Sequence, residues 1–172
     1  MENILSKFTT HYQKILSTAF KQATISGRKE LEAVDLLMAL VIEKGSLARE
    51  ILEKHRVTTE IIQEKLGLIA GDLPSIRNLE PQVLQELLTE RLSPPVKNII
   101  EKSVLTAWQH QHHYVGSEHL LFALVFSEEV VVRALWTSLG TEIKNLKTQL
   151  SAMLKSTSKF PDLTEAFVVD EL

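Results

Sequence analysis

The sequence contains two copies of one pattern, separated by a constant offset of 84 residues. Ile15 aligns with Ile99 (99 − 15 = 84), and LLMALV at residues 36–41 aligns without a gap with LLFALV at residues 120–125. The same offset pairs further apolar positions: Leu16 with Ile100, Ala23 with Ala107, Ile51 with Leu135. Several successive segments agree at one offset, which favours a true repeat over chance alignment of two amphipathic helices. A chain built in this way is expected to fold as two related units.

Apolar residues recur at steps of three and four residues, and only 6 glycines and 5 prolines occur in 172 residues. This spacing is typical of amphipathic helices, so we expect an all-α protein. In the first copy we predict helices at residues 10–26, 33–43, 46–54 and 59–66. The second of these is apolar on nearly every side, which predicts a position inside a helical bundle.

The second copy has clearer helix-start signals than the first. Ser93 precedes Pro94 and Pro95, so its hydroxyl would cap a helix whose first turn is filled by proline. Ser117 would cap the next helix in the same way, whereas the first copy has Ala33 at that position. We therefore predict that the first copy lacks this cap.

The segment between the copies, residues 68–91, begins with a loop at residues 70–75. An inter-repeat helix is predicted to open near Pro81 and to pack its apolar stripe between the copies. Residues 155–161 are rich in Ser, Thr and Lys and are interpreted as a linker, and the last residues are expected to fray.

Composition and charge exclude several classes of protein. With 19 Lys and Arg against 22 Asp and Glu, the formal net charge is −3, which offers no cationic surface for nucleic acid or an anionic membrane. The absence of cysteine removes disulfides and thiolate metal ligands. No signal peptide or membrane-spanning run is recognisable. We therefore expect a cytoplasmic protein without cofactors.

The sequence also lacks the motifs of an enzyme. No G-x-x-x-x-G-K-[ST] occurs, so the chain has no phosphate cradle for nucleotide hydrolysis. Ser117, Glu118 and His119 are neighbours on one helical turn and do not form a line of nucleophile, base and orienting group. We expect no catalytic activity.

Residues 114–125, YVGSEHLLFALV, resemble the signature of the Clp N-terminal repeat, which reads approximately Tyr-Val-Gly-Thr-Glu-His-Leu-Leu-Leu-Gly-Leu. Four shorter segments are also similar to this family: Phe8-Thr9, Ser93-Pro94, residues 135–140, and the Asp-Leu-Thr at residues 162–164. The last of these resembles the tripeptide that precedes the first ATPase module in ClpC-type unfoldases. The resemblance covers roughly residues 8–150.

This resemblance implies two pseudo-repeated four-helix units that dock substrates and adaptor proteins for a hexameric AAA+ unfoldase. We expect one domain at residues 1–154, with repeat one at about 8–67 and repeat two at about 92–154, and a tail at residues 155–172. The implied partners are adaptor proteins and client polypeptides, including arginine-phosphorylated clients, and the ATPase ring of a Clp unfoldase. The isolated domain is expected to be a monomer.

In the ClpC branch the ligand of this domain is phosphoarginine, held by the motif glutamate and by a threonine at the start of each repeat's first helix. Carried onto this sequence, repeat two offers Glu118 and Ser93. Repeat one offers Thr9, but Val34 stands at its glutamate position and cannot bind a guanidinium group. The resemblance therefore implies that one pocket is lost, and Pro95 removes a backbone donor from the other. A purely structural role for Ser93 and Glu118 at helix starts stays open.

His119 matches the motif histidine, and we expect it to order the start of its helix, with a weaker role as a ligand contact. His110, His112 and His113 lie nearby, and such a cluster can bind a metal through neutral imidazoles. Their spacing favours a solvated turn, so no metal site is predicted. The tryptophans, Trp108 and Trp136, and the valine run at residues 130–132 are expected in the core.

Three functions remain for the chain. The first is a Clp N-terminal docking domain. The second is a stand-alone helical regulator that competes with the full unfoldase for adaptor proteins. The third, a small-molecule or metal-binding helical protein, would require a defined pocket that the sequence does not indicate.

Overall fold

A computed structural model of the chain describes residues 4–67 and 79–156. Over these residues the fold is all-α, with one short 3-10 helix at Ile4–Lys7 and nine α-helices. Repeat one comprises α1 (Thr10–Ile25), α2 (Ala33–Ile42), α3 (Leu47–Lys54) and α4 (Thr59–Leu66), and α5 (Pro81–Glu90) follows it. Repeat two comprises α6 (Pro94–Gln109), α7 (Ser117–Val125), α8 (Val130–Leu139) and α9 (Ile143–Ser156). The prediction of two four-helix units with an inter-repeat helix is confirmed.

The two units correspond at the predicted offset, helix by helix. Helices α1, α2 and α4 begin 84 residues before α6, α7 and α9, and α3 pairs with α8 to within one residue. The correspondence extends to the backbone, because the left-handed positions also pair. Gly27 has a φ of 75° and Gln111 one of 59°, while Arg56 has 61° and Gly140 has 67°.

The core is built around the two central helices, α2 and α7. Nearly all residues of both are buried, as their all-round apolar sequence predicts. Helix α1 packs on α2 and α6 packs on α7, while α3, α7 and α8 also make contacts across the two repeats. One continuous hydrophobic cluster therefore runs through both units.

The helix starts of repeat one are capped by side chains. The hydroxyls of Thr9, Ser46 and Thr58 accept hydrogen bonds from the backbone N–H groups of Tyr12, Arg49 and Ile61. Each cap satisfies one backbone donor that a helix leaves without an intrahelical partner.

The inter-repeat helix α5 starts at Pro81, as predicted, and packs against α1. Leu84 is buried, and Leu79 N–H donates to Ser17 Oγ at 3.1 Å. The predicted loop at residues 70–75 lies outside the described residues. At the other end, Lys155 and Ser156 are still part of α9, and the rest of the predicted linker and tail lies outside the described residues.

Two expectations about the core were wrong. Trp108 is 67% exposed, and Val130 and Val131 are 84% and 50% exposed, because these positions lie on the outer faces of α6 and α8. Of the valine run, only Val132 is buried as expected. Trp136 is buried as expected and donates its indole N–H to Leu124 O at 3.1 Å. Along the described segments, no helix is both long and apolar enough to cross a membrane.

Candidate functional site at the repeat junction

The two repeats exchange backbone hydrogen bonds at two places that are equivalent under the offset. At the first, Thr9 N–H donates to Val115 O at 3.0 Å and Val115 N–H donates to Lys7 O at 2.8 Å. At the second, Leu31 N–H donates to Arg91 O at 2.7 Å and Ser93 N–H donates to Leu31 O at 3.1 Å. Each repeat thus contributes the start of its first helix to one junction and the segment before its second helix to the other.

This exchange decides which candidate residues come together. Ser93 and Glu118 stand at the starts of α6 and α7, and the first turn of α7 lies beside the other end of α6. Helix α6 has 16 residues and is therefore about 24 Å long. The structure places Thr9 on the Glu118 side, through the bond to Val115, and Ser93 on the Val34 side, through the bond to Leu31.

The two hydroxyls at these helix starts differ in their bonding. Thr9 is buried, and its Oγ1 accepts from Tyr12 N–H at 3.2 Å. Ser93 is 3% exposed, and its Oγ has no hydrogen-bond partner among the described residues. Pro94 and Pro95, which follow Ser93, have no N–H to donate. The predicted side-chain cap at Ser93 was therefore wrong.

Glu118 is fully buried in the first turn of α7. The Tyr114 hydroxyl donates to Glu118 Oε2 at 3.0 Å. A carboxylate at a helix N-terminus is favoured by the helix dipole, which suits this position. A guanidinium ligand would have to reach a side chain that the protein itself covers.

His119, rather than Ser117, orders the start of α7. The capping residue is Gly116, whose N–H donates to His119 Nδ1 at 2.8 Å. Ser117 is the first helical residue, and its Oγ accepts from Ala48 N–H at 3.2 Å. The predicted Ser117 cap was wrong, because its hydroxyl bonds to repeat one instead.

Asp35 stands at the equivalent position in repeat one. It also accepts the N–H of its capping residue, but through a carboxylate oxygen instead of an imidazole nitrogen. Its Oδ2 accepts from Glu32 N–H at 2.9 Å, and Arg28 forms an ion pair with its other oxygen. Burial raises the pKa of Asp35, although the Glu32 N–H and the Arg28 charge oppose that shift. As predicted, Ala33 supplies no cap, and the bond to the capping residue comes from the third helical residue instead.

The prediction of a solvated turn for the histidines near α7 holds for His113, which is exposed, but it was wrong for His112. His112 and His119 are buried, and His112 Nδ1 lies 2.6 Å from His119 Nε2. Because His119 Nδ1 accepts the Gly116 N–H, neutral His119 carries its proton on Nε2 and donates it to His112. Burial lowers the pKa of His119 well below its usual range, and the His112 and His110 rings lower it further. Within the described ranges, no three His, Asp or Glu side chains are arranged to hold a metal ion.

A surface pocket adjoins each junction. The first, of about 430 Å³, is lined by Lys7, exposed Trp108, His113 and Tyr114, among others. The second, of about 540 Å³, is lined by charged side chains: Arg28, Lys29, Glu30, Glu32, Glu90 and Arg91. The offset relates them, since Lys7 corresponds to Arg91 and His113 to Lys29. The sequence analysis did not select Lys7 or Trp108 as pocket residues. A usable signal was present, because Trp108 aligns with Thr24 and has no aromatic counterpart in repeat one.

The fold and its two exchanged junctions define a double-repeat, all-α domain. Two segments, residues 7–89 and 91–166, match the sequence model of the Clp repeat (R) N-terminal domain. These segments cover most of the chain, which therefore belongs to the Clp N-terminal domain family.

Curated relatives and solved structures agree with this assignment. The chain is 27% identical over 153 residues to the negative regulator of genetic competence ClpC/MecB of Bacillus subtilis, covering 89% of this chain and 18% of that protein. Among solved structures, the Hsp104 N-terminal domain from Candida albicans matches with a TM-score of 0.67 and 18% identity, over 93% of this chain and 99% of that chain. The N-terminal domain of the chaperone ClpD from Arabidopsis thaliana matches with a TM-score of 0.65 and 16% identity, over 87% and 96%. The chain thus spans about a fifth of the curated relative's length.

Proposed function

We propose that this domain docks client polypeptides or their adaptors for a Clp-type ATP-dependent unfoldase. Its similarity to the N-terminal regions of Clp chaperones supports a docking role. The structural observation that carries the proposal is the pocket beside the first junction, where Trp108 is 67% exposed next to Lys7. Exposed aromatic side chains at the rim of a pocket are typical anchors of protein interfaces.

The test is a binding titration of the purified chain with an unfolded model client, such as casein, followed by amide chemical shifts. We expect shifts around residues 108–115 and a loss of affinity of roughly tenfold in Trp108→Ala. Val130→Ala is the matched control, because Val130 is also a strongly exposed apolar residue but does not line this pocket. Equal losses in both variants, or no binding by the wild type, would contradict the proposal. The alternative function is a stand-alone regulator that competes for adaptor proteins. If the chain has that function, adding it should inhibit the degradation of clients by a full-length unfoldase.

The proposal also includes a specific ligand, phosphoarginine, but with a different pair of binding residues from the pair that the resemblance implied. We infer that a surviving pocket would combine Glu118 with Thr9 rather than with Ser93. The bond from Thr9 N–H to Val115 O, three residues before Glu118, supports this pairing. Binding would require Tyr114 to release Glu118, because that carboxylate is buried under the tyrosine hydroxyl.

A titration with free phosphoarginine separates the two pairings. Saturable amide shifts near residues 9 and 114–119, lost in Glu118→Gln but kept in Ser93→Ala, are expected. Loss in both variants would favour the original pair of Ser93 and Glu118. An unchanged spectrum at millimolar ligand would end the phosphoarginine proposal while leaving client docking through Trp108 testable on its own.

A further inference from the structure

A third pocket lies entirely within repeat two, away from the junctions. It has a volume of about 230 Å³ and is formed where the end of α7, the middle of α8 and the start of α9 meet. The lining residues that matter here are Phe126, Ser127, Glu128, Arg133, Thr137 and Lys147. The sequence analysis predicted none of these residues as a binding residue, and none of them lines the pocket beside Trp108.

The repeat offers an internal comparison for this pocket. Arg133 corresponds to Arg49, and Thr137 corresponds to Glu53. In repeat one, Arg49 Nε donates to Glu53 Oε1 at 3.0 Å across one helical turn. In repeat two, Thr137 Oγ1 bonds back to the Arg133 carbonyl oxygen at 3.0 Å. The carboxylate partner of the arginine is therefore absent at Thr137, and Arg133 forms no salt bridge within residues 4–67 and 79–156.

A second cation faces the same pocket. Lys147 Nζ lies 5.3 Å from the centroid of the Phe126 ring, an arrangement in which the ring face attracts the ammonium group. Its counterpart in repeat one is the neutral Gln63. Glu128 contributes one negative charge, so two cations and one carboxylate line the pocket. Repeat one has balanced charges at the corresponding positions.

Neutral groups around the pocket add hydrogen-bond donors. Ser127 is buried, and its Oγ accepts from Glu129 N–H at 3.2 Å, which leaves the hydroxyl proton available for a ligand. Thr141 and Ile143, at the start of α9, also line the pocket, and the N-terminus of this 14-residue helix favours a negative charge. The site therefore presents a guanidinium fork, an ammonium group and a hydroxyl beside the apolar Phe126 ring.

We propose that this pocket binds a phosphate monoester, carried on a phosphorylated serine or threonine side chain of a bound polypeptide. Two cations match a dianionic phosphate better than a singly charged carboxylate, and a guanidinium fork binds phosphate oxygens in a bidentate manner. Phosphoarginine fits poorly, since its own guanidinium group would face Arg133 and Lys147. The half-apolar wall accepts the carbon stem of the side chain.

The test is an amide-shift titration with three probes: a short peptide containing one phosphoserine, its unphosphorylated twin, and inorganic phosphate. The phosphopeptide should produce saturable shifts within residues 126–147, and the unphosphorylated twin should produce none there. Tighter binding of the phosphopeptide than of inorganic phosphate is expected. Equal affinity for both would overturn the peptide part of the proposal and assign the pocket to phosphate alone.

Three substitutions give a pattern that a general structural effect would not produce. Thr137→Glu recreates the ion pair of repeat one and should weaken phosphopeptide binding roughly tenfold, and Lys147→Gln should do the same. Glu128→Gln removes the opposing charge and should tighten binding by about twofold to threefold. The residues are surface-exposed or half-buried, and melting temperatures check that all three variants fold.

Repeat one supplies the control. Arg49→Gln removes the arginine at the position equivalent to Arg133 and should leave phosphopeptide binding unchanged, because Arg49 is already paired with Glu53. No saturable shift in the wild type would overturn the proposal, as would unchanged affinity in Thr137→Glu. Either result leaves the docking function at the junction untouched, because that function is measured with Trp108.

Discussion

At the scale of single residues, the same backbone task is done by different side chains in the two repeats. Asp35 and His119 each accept the N–H of the residue that caps their helix, at 2.9 and 2.8 Å. The buried charge of Asp35 is balanced by the ion pair with Arg28. His119 needs no counter-ion, because it stays neutral and hydrogen-bonds to His112. The two solutions have opposite consequences for the dependence of stability on pH.

Burial lowers the pKa of His119 in the folded protein below that of the unfolded chain, about 6.5. Below that pH the unfolded state therefore binds more protons, and folding stability falls as the solution is acidified. We predict that the free energy of unfolding of the wild type drops between pH 7 and pH 5. In His119→Asn, whose amide oxygen replaces Nδ1 as acceptor, the drop should be smaller although stability at pH 7 is lower.

Denaturant unfolding at several pH values measures this effect. Asp35 acts in the opposite direction, because its raised pKa favours the folded state as pH falls. Since Asp35 is present in both proteins, its contribution cancels in the comparison. An equally steep loss of stability in His119→Asn would contradict the assignment to His119.

At the scale of elements, the helix ends show how far the repeats constrain one another. The turn after α3 places Arg56 at a positive φ, and the equivalent turn after α8 uses Gly140. A left-handed backbone is strained for any residue with a Cβ, and a Cβ at Gly140 would meet no atom within 4 Å. The two turns share one backbone conformation, so a side chain at Gly140 would cost backbone strain and would cause no steric clash.

Reciprocal substitutions test this. Arg56→Gly should raise the free energy of unfolding by up to about 1 kcal/mol, and Gly140→Arg should lower it by about 1 kcal/mol. Chemical denaturation of both variants measures the change. Arg49→Gly is the control for glycine at an ordinary helical position and should destabilise. Destabilisation by Arg56→Gly would show that the arginine side chain contributes more than the strain costs.

At the scale of the whole molecule, the two repeats are one folding unit. Phe8 and Thr9 of repeat one meet Val115 of repeat two, and Leu31 meets Ser93 in return. The buried cluster is continuous across both units. Neither repeat can satisfy its junction backbone or cover its share of the core alone.

We therefore predict that a fragment ending at residue 78 shows no cooperative thermal transition by circular dichroism, whereas the whole chain unfolds in one step. Mixing this fragment with residues 79–172 should restore helicity above the sum of the separate spectra. A cooperative transition in the isolated first half would show that the repeats are independent domains.

The sequence alone determined the helices, the repeat and the family. Helix positions follow from apolar spacing and breakers within a few turns of chain, and the offset of 84 residues brought even the left-handed turns into register. The sequence also indicated that Thr9, Ser93, Glu118 and His119 lie at helix starts. Helix positions and helix starts are local features, so a single segment contains the information that decides them.

Tertiary structure alone decided how those residues are combined. It paired Thr9 with the Glu118 side and Ser93 with the Val34 side, buried His112 with His119, and left Trp108 in solvent. It also brought Arg133 and Lys147 to one pocket in repeat two. Such outcomes depend on which distant segments exchange hydrogen bonds and cover one another, and no local spacing encodes that choice.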